Sequence, residues 1–295
     1  MLNFSKLNLT DIETVKPYFK LQLSRICDYS VGGIFMWRDY FDTQFAIWQN
    51  TLIFKVRYIG GETAFPVPLG ENQQGALDQI EQYCRENGIP LVFCTVSKEA
   101  LQILQSRYPG AIAQPNRNWF DYLYQAQNLI TFKGKKYDGQ RNHINKFKKL
   151  YPNYSFKEMK PENLESIRLF YDRFAEEHEK ASQLARVESE KVKELLENYE
   201  QYGLFGGFIT VDGKIVSMSI GERINDTIYV HVEKADIAYV GAYQITVQEF
   251  LKHFAREGDE FVNREEDVGD AGLRKSKLSY HPVELLEKST VRVNL

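Results

Sequence analysis

The chain has 295 residues, 43% of them hydrophobic and 14% aromatic, and carries a net charge of −3. That length favours two domains, and the apolar content is enough for packed cores, which excludes disorder on a large scale. A mildly acidic chain is no polycation, so a nucleic-acid or other anionic partner would have to be held by a local basic patch.

Cys27, Cys84 and Cys94 form no CxxC spacing, and their odd number points to reduced thiols and a cytoplasmic location. The start, Met1-Leu2-Asn3-Phe4-Ser5-Lys6, lacks the apolar stretch of a signal peptide. No run approaches the roughly 18 apolar residues of a membrane span, so no membrane insertion is expected.

In the first half, Ile12, Val15 and Phe19 are spaced for a helix over Thr10–Lys20. Three strands follow, Phe45–Gln49, Leu52–Tyr58 and Ala64–Val67, separated at Asn50-Thr51 and Gly60-Gly61. A helix over Gly75–Asn87 is stopped by Gly88 and Pro90. A buried strand (Leu91–Val96), a helix (Ser97–Tyr108) and a strand (Trp119–Tyr124) complete this half. The second half opens with helices at Pro161–His178 and Ser189–Tyr202. Strands Leu204–Val211, Lys214–Ile224 and Thr227–Lys234 follow, the first pair joined by Asp212-Gly213, a preferred tight-turn pair. A helix (Gly241–Glu257), a strand (Glu260–Arg264), a helix (Ala271–Ser279) and final strands within Val283–Asn294 end the chain. Both halves read helix, three-stranded meander, helix, strand, helix, strand. The expected organisation is a mixed α/β chain with an N-terminal domain at 1–131, a basic connector at 132–151 and a C-terminal domain at 152–295.

Three segments could carry chemistry. Lys133 to Lys149 holds seven Lys/Arg and one acid, and Ile144, Phe147 and Tyr151 give it an apolar helical stripe. It reads as a phosphate or tRNA-backbone contact, through Lys136, Arg141 and Asn142, or as a solvated charged helix between domains. Asn263 to Pro282 leaves a strand, crosses an acidic loop and enters a helix bearing Arg274, Lys275 and Lys277. Arg264 and Arg274 suit bidentate anion contacts, and a structural ion-pair network is the other reading. Third, Val232-Glu233-Lys234 lies before a helix opening at Gly241-Ala242-Tyr243-Gln244, whose free N–H groups suit a pyrophosphate. His231 and Glu233 form a possible base with a neighbouring carboxylate, or His231 is a satisfied strand histidine. The five histidines have no zinc-like spacing, and no phosphate-binding loop of the Gly-x-x-x-x-Gly-Lys type or Gly-x-Ser-x-Gly elbow occurs. No metal is expected.

The element order of 161–294, and its ending Leu278-Ser279-Tyr280-His281-Pro282, resemble the GNAT acyltransferase fold. Gly134-Lys135-Lys136-Tyr137, Arg141-Asn142-His143, Asn263-Arg264-Glu265-Glu266-Asp267, Gly269 and Leu273-Arg274 are similar to an uncharacterised bacterial family. That family is related to the C-terminal domain of phosphatidylglycerol lysyltransferase, a tandem-GNAT transferase akin to the Fem enzymes. The resemblance implies two copies of the GNAT fold, the first degenerate. It implies an N-acyl or aminoacyl transferase whose donor is acyl-CoA or aminoacyl-tRNA and whose acceptor is a small-molecule or peptide amine. The donor is expected along Val232, Lys234, Gly241, Ala242, Tyr243, Gln244 and Arg274, with the connector as the place for tRNA. Glu233 or Glu265 would take the amine's proton, and Lys277, matching a lysine of the family's last helix, would neutralise developing charge. Asp236 to Ala242 is a reduced version of the loop that cradles CoA pyrophosphate. The other reading is a non-catalytic RNA- or anion-binding protein that keeps the fold.

Overall fold

A computed structural model describes residues 2–178 and 183–294. The chain forms two compact units. The first takes Met1–Tyr122, Glu265–Arg274 and Leu285–Leu295, and the second takes Leu123–Arg264 and Lys275–Glu284. This differs from the sequential division at 131 and 151, for a reason visible in the sheets below.

The first stretch carries β1 (Ser5–Lys6), α1 (Ile12–Val15), α2 (Val31–Trp37), β2 (Gln44–Trp48), β3 (Thr51–Arg57), β4 (Thr63–Ala64) and β5 (Leu69–Gly70). It continues with α3 (Gln73–Asn87), β6 (Leu91–Ser97), α4 (Lys98–Arg107) and β7 (Ile112–Pro115). The helix expected over Thr10–Lys20 is instead α1 flanked by 3-10 turns, Leu9–Asp11 and Lys16–Leu21, with Pro17 opening the second turn. Proline lacks the N–H an uninterrupted helix would need there. The next two helices begin as their caps dictate: Asn72 accepts from the Gly75 N–H at 3.1 Å, and Ser97 accepts from Ala100 at 3.3 Å. Ala76, Leu77, Ile80 and Cys84 of α3 are buried with Phe65, Leu91, Phe93 and Leu104 in one core. Each such large apolar side chain contributes about 1.5–3 kcal/mol by leaving water.

The second stretch carries β8 (Asp121–Gln125), α5 (Ala126–Thr131), α6 (Asp138–Leu150), β9 (Ser155–Glu158), α7 (Leu164–His178), α8 (Gln183–Glu197) and α9 (Tyr199–Tyr202). It continues with β10 (Phe205–Val211), β11 (Lys214–Ile224), β12 (Thr227–Ala235), α10 (Ala242–Phe254), β13 (Phe261–Asn263), α11 (Ala271–Ser279) and β14 (Glu284–Leu286), and β15 (Lys288–Val293) closes the chain. The hairpin between β10 and β11 turns at Asp212 (φ 48°) and Gly213 (φ 82°), the left-handed pair the sequence called for.

Each unit runs a meander, then a helix, then a strand parallel to the meander's last member. In the first unit Phe65 bridges Phe93 in parallel; in the second β12 pairs β13 in parallel, Tyr229 opposite Asn263. The repeated order read from the sequence is therefore a repeated topology. The closing strands, however, are exchanged. β15, last in the chain, lies between β6 and β7, while Leu123–Gln125 of β8 pairs with Phe261–Asn263 of β13. A boundary drawn along the sequence cannot follow that exchange.

Candidate functional site

In the second unit β12 and β13 are parallel, so both point their carboxyl ends the same way, the usual place for ligands in an α/β sheet. Glu233 stands near the end of β12 and Arg264 directly follows β13. An Arg264 Nη2 donates to Glu233 Oε1 at 2.7 Å, with the two side chains only 9% and 13% exposed. The guanidinium lies over the Tyr280 ring, 4.4 Å from its centre, and 5.7 Å from that of Tyr124. Burial works against the charge, but Glu233 and the two tyrosines more than offset it, so Arg264 holds its proton more firmly than a free arginine. Burial also pushes the Tyr280 phenol above its ordinary range, against the pull of Arg264.

Lys277 belongs to the same cluster in an unexpected way. Its Nζ donates to the backbone carbonyl of Arg264 at 2.6 Å, and its own carbonyl accepts from the Tyr124 hydroxyl at 2.8 Å. The lysine thus fixes the main chain that carries Arg264 and the ring beneath it. One group remains open: Arg264 Nη1 is buried and finds no hydrogen-bond partner among the described residues. Buried donors are rarely left so, because losing water without a replacement costs about 1–3 kcal/mol.

The neighbouring expected residues divide by role. Val232 is buried in the core. Lys234 pairs with Glu188 at 2.6 Å and lies over Phe174. Burial pushes the Tyr243 phenol up to about 12, with Glu233 and Glu188 adding to the effect. Gly241 (φ 88°) caps α10, and a Cβ there would stand 2.4 Å from the His143 carbonyl. Its glycine is explained by the close approach of α6. Ala242 is buried behind it, while Tyr243 and Gln244 occupy the first turn of α10. The loop before the helix is bonded to itself: the Ala238 N–H reaches Asp236 Oδ1, Tyr239 N–H the Asp236 carbonyl, and Ala242 N–H the Tyr239 carbonyl. The Asp236 carboxylate therefore stands within the loop that leads into α10.

On α6, Gln140, Ile144 and Phe147 face inward, and Asn142, His143, Lys146 and Lys149 are exposed, as is Lys136 just before it. Arg141 is engaged: it donates to the Phe132 and Gly134 carbonyls and pairs with Asp138. Its role is to tie down the turn before α6. His231 bonds to Glu222 at 2.8 Å, both side chains at least 93% buried, at a bulge where Gly221 admits the Tyr229 carbonyl. The satisfied-histidine reading fits that pair.

Glu265 and Arg274 belong to the first unit. Glu265 takes a left-handed backbone (φ 56°) and its carbonyl accepts from the Tyr122 N–H. Arg274 grips Asp267 with Nε at 2.9 Å and Nη2 at 2.7 Å, joined by Arg117 at 3.1 Å and the Tyr122 hydroxyl at 2.6 Å. Burial alone would raise the Asp267 carboxyl, yet these donors hold it well below the usual carboxylate range.

The first unit also contains a buried charge cluster that no local pattern announced. Lys288 Nζ lies 2.5 Å from Asp28, 2.7 Å from Asp121, 3.4 Å from Cys27 Sγ and 3.6 Å from Glu266. Cys27, Asp28 and Asp121 are close enough together to hold a metal ion, but the lysine ammonium already stands against both carboxylates. Burial pushes Glu266 up to about 8; Lys288 opposes the shift, and Asp121, Glu265 and Asp28 add to it. The same burial raises the Cys27 thiol well above its ordinary value, which favours the protonated form.

Comparison with known proteins places these features in a family. The family model "Phosphatidylglycerol lysyltransferase, C-terminal" matches residues 19–292. A conserved protein of unknown function from Bacteroides thetaiotaomicron has a structure similar to this chain at a TM-score of 0.90, with 32% identity over 100% of both chains. The C-terminal domain of a putative lysylphosphatidylglycerol synthetase from Agrobacterium fabrum has the same fold at a TM-score of 0.70, with 14% identity over 98% of this chain and 93% of that one. An uncharacterized protein of Mycoplasmoides gallisepticum is 25% identical over 198 residues, 65% of this chain. This chain spans 62% of the length of that curated relative. The fold is the tandem GNAT-like, mixed α/β arrangement that the sequence implied. Among the described residues no helix is long and apolar enough to cross a membrane.

Proposed function

Because the chain belongs to the phosphatidylglycerol lysyltransferase C-terminal family, we propose that it transfers an aminoacyl group from aminoacyl-tRNA to an amine at the Arg264–Glu233 site. The observation that carries the reading is the buried Arg264 guanidinium with an unpartnered Nη1 at the carboxyl end of the parallel strands. In a dry site such a donor is worth far more than in water, and it suits an ester carbonyl that gains negative charge during attack. The amine lone pair attacks the carbonyl carbon and a C–N bond forms. The C–O bond to the ribose then breaks, and the departing ribose oxygen takes the proton that the amine gives up. An aminoacyl ester is already activated, so alignment supplies much of the acceleration. Glu233 holds the guanidinium in place, and Lys277 holds the main chain behind it.

The tRNA donor is favoured over acyl-CoA by two observations. The Asp236 loop spends three of its N–H groups internally, those of Ala238, Tyr239 and Ala242, and carries a carboxylate that disfavours a pyrophosphate. The exposed lysines of α6 and its approach offer a positive surface to a phosphate backbone. Incubating the protein with labelled aminoacyl-tRNA and a peptide amine tests this. The expected result is label moving to the amine, with acetyl-CoA inert as donor. Label that stays on tRNA while acetyl-CoA is consumed would overturn it. A purely RNA-binding role would use α6 and leave Arg264 without a task.

A further inference from the structure

The charge cluster of the first unit holds a cysteine and a lysine face to face. Lys288 Nζ donates to Cys27 Sγ at 3.4 Å, and Asp28 and Asp121 keep the ammonium in place. The Cys27 main chain is fixed on both sides. Its N–H donates to Asp121 Oδ2 at 2.7 Å, and its carbonyl accepts from the Ser30 hydroxyl at 2.5 Å. The thiol itself donates to two carboxylate oxygens, Asp121 Oδ1 and Glu266 Oε2, each 3.5 Å away. Sulfur, amine and two proton acceptors therefore meet in a frame that leaves them little freedom. Cys84 has a different setting, with its Sγ facing the Pro90 carbonyl. The Asp28 and Glu266 side chains keep 23% and 18% of their surface, so the edge of the cluster meets solvent.

We propose that Cys27 and Lys288 are the site of an oxidative cross-link, a sulfenamide Sγ–Nζ bond formed when the protein meets a peroxide. A thiol is a poor nucleophile until it loses its proton, and burial here favours the protonated form, so the sulfur needs a base. Asp121 and Glu266 stand in that place. The sulfur attacks one oxygen of hydrogen peroxide; the S–O bond forms and the O–O bond breaks. The departing hydroxide takes the thiol's proton and leaves as water. Cys27 is then a sulfenic acid, a species that condenses with nitrogen. Lys288 gives one proton to a neighbouring carboxylate and its lone pair attacks the sulfur. The S–N bond forms, the S–O bond breaks, and the hydroxide leaves with a second amine proton as water. In sum, a thiol, an ammonium and one hydrogen peroxide give a sulfenamide, two waters and one proton. Sulfur loses two electrons and the O–O bond takes them. The link ties β15 to the turn before α2 across 261 residues of chain, a closure that restrains the unfolded state. It lies within the first unit and does not depend on the transferase reading.

The experiment treats the folded full chain with hydrogen peroxide, then alkylates the remaining thiols in denaturant. Trypsin digestion without reductant and mass spectrometry follow. The expected product joins the peptide Ile26–Arg38 to the one carrying Lys288, two hydrogens lighter than their sum, with cleavage after Lys288 lost. Dithiothreitol should break the link and return a free Cys27 thiol. Lys288→Arg keeps a cation against Asp28 and Asp121 and should leave Cys27 as a sulfenic acid, trapped by dimedone, with no link. The wild-type masses decide the matter even if that variant fails to fold. Cys27 alkylated as fully after peroxide as before, or oxidised to sulfinic acid without a link, would overturn the proposal. So would a linked pair whose fragment ions place an added oxygen between sulfur and nitrogen rather than on Met36. A link from Cys84 or Cys94 in equal yield would remove the cluster as its cause.

Discussion

Arg264 is surrounded by a carboxylate, two aromatic rings and a lysine-clamped main chain, an arrangement that fixes its geometry before any ligand arrives. Sequence spacing could single out Glu233 and Arg264, because both stand at strand ends where α/β chemistry collects. It could not reveal Tyr124 and Tyr280 as the rings beneath the guanidinium, since they lie 156 residues apart and meet only through the fold. Nor could it say which anion each arginine meets. Arg141 is occupied by the carbonyls before α6, and Arg274 by Asp267, choices made by tertiary contact and invisible to a motif. The same holds for Lys277, to which the family resemblance assigned charge neutralisation and whose ammonium lies on a backbone carbonyl. Replacing it by methionine leaves the Arg264 carbonyl short of a donor, which costs roughly 1–3 kcal/mol for a buried group. Thermal melts of Lys277→Met should show that loss, with a lowered transfer rate that Lys277→Arg partly restores.

Helix α6 was the most readable element, because its period places Ile144 and Phe147 inward and its lysines outward. What the period leaves out is that Gly241 must be glycine so that α10 can meet the His143 carbonyl. Gly241→Ala meets both a left-handed φ of 88° and a 2.4 Å approach. It should lower the melting temperature by several degrees and weaken donor binding through a displaced α10, measured by calorimetry and filter binding. For the exposed face, each phosphate contact removed lowers the slope of log K against log salt by roughly 0.7–0.9. Lys146→Ala with Lys149→Ala should therefore reduce the salt slope of tRNA binding by about 1.4–1.8 if both meet phosphates. An unchanged slope would assign those lysines to solubility alone. Short elements such as α2, α5 and β7 escaped the sequence reading because a few residues carry too little period to stand out.

At the scale of the molecule, the exchange of β8 and β15 explains why the two units interleave along the chain although the element order repeats cleanly. It also brings Lys288 from the last strand to Asp28 and Asp121 of the first unit, a charge cluster spread over 261 residues from Cys27 to Lys288. Glu266 in that cluster is pushed up to about 8 by burial, so the folded protein binds its proton where the unfolded chain releases it. Folding stability from this group is complete below the ordinary carboxylate range and falls as pH rises through about 8. Glu266→Gln should thus gain melting temperature relative to the wild type between pH 5 and pH 8, read by parallel melts. A constant difference across that range would remove Glu266 as the titrating group.

Aminoacyl transfer is proposed to occur at the buried guanidinium of the second unit. Its most direct test is single-turnover transfer from aminoacyl-tRNA to an amine by the wild type and by Arg264→Gln, with folding checked by circular dichroism. Removing a donor aimed at a developing oxyanion costs about 10²–10³ in rate, so a loss of that size with the fold intact is expected. A folded Arg264→Gln protein that transfers at the wild-type rate would contradict it.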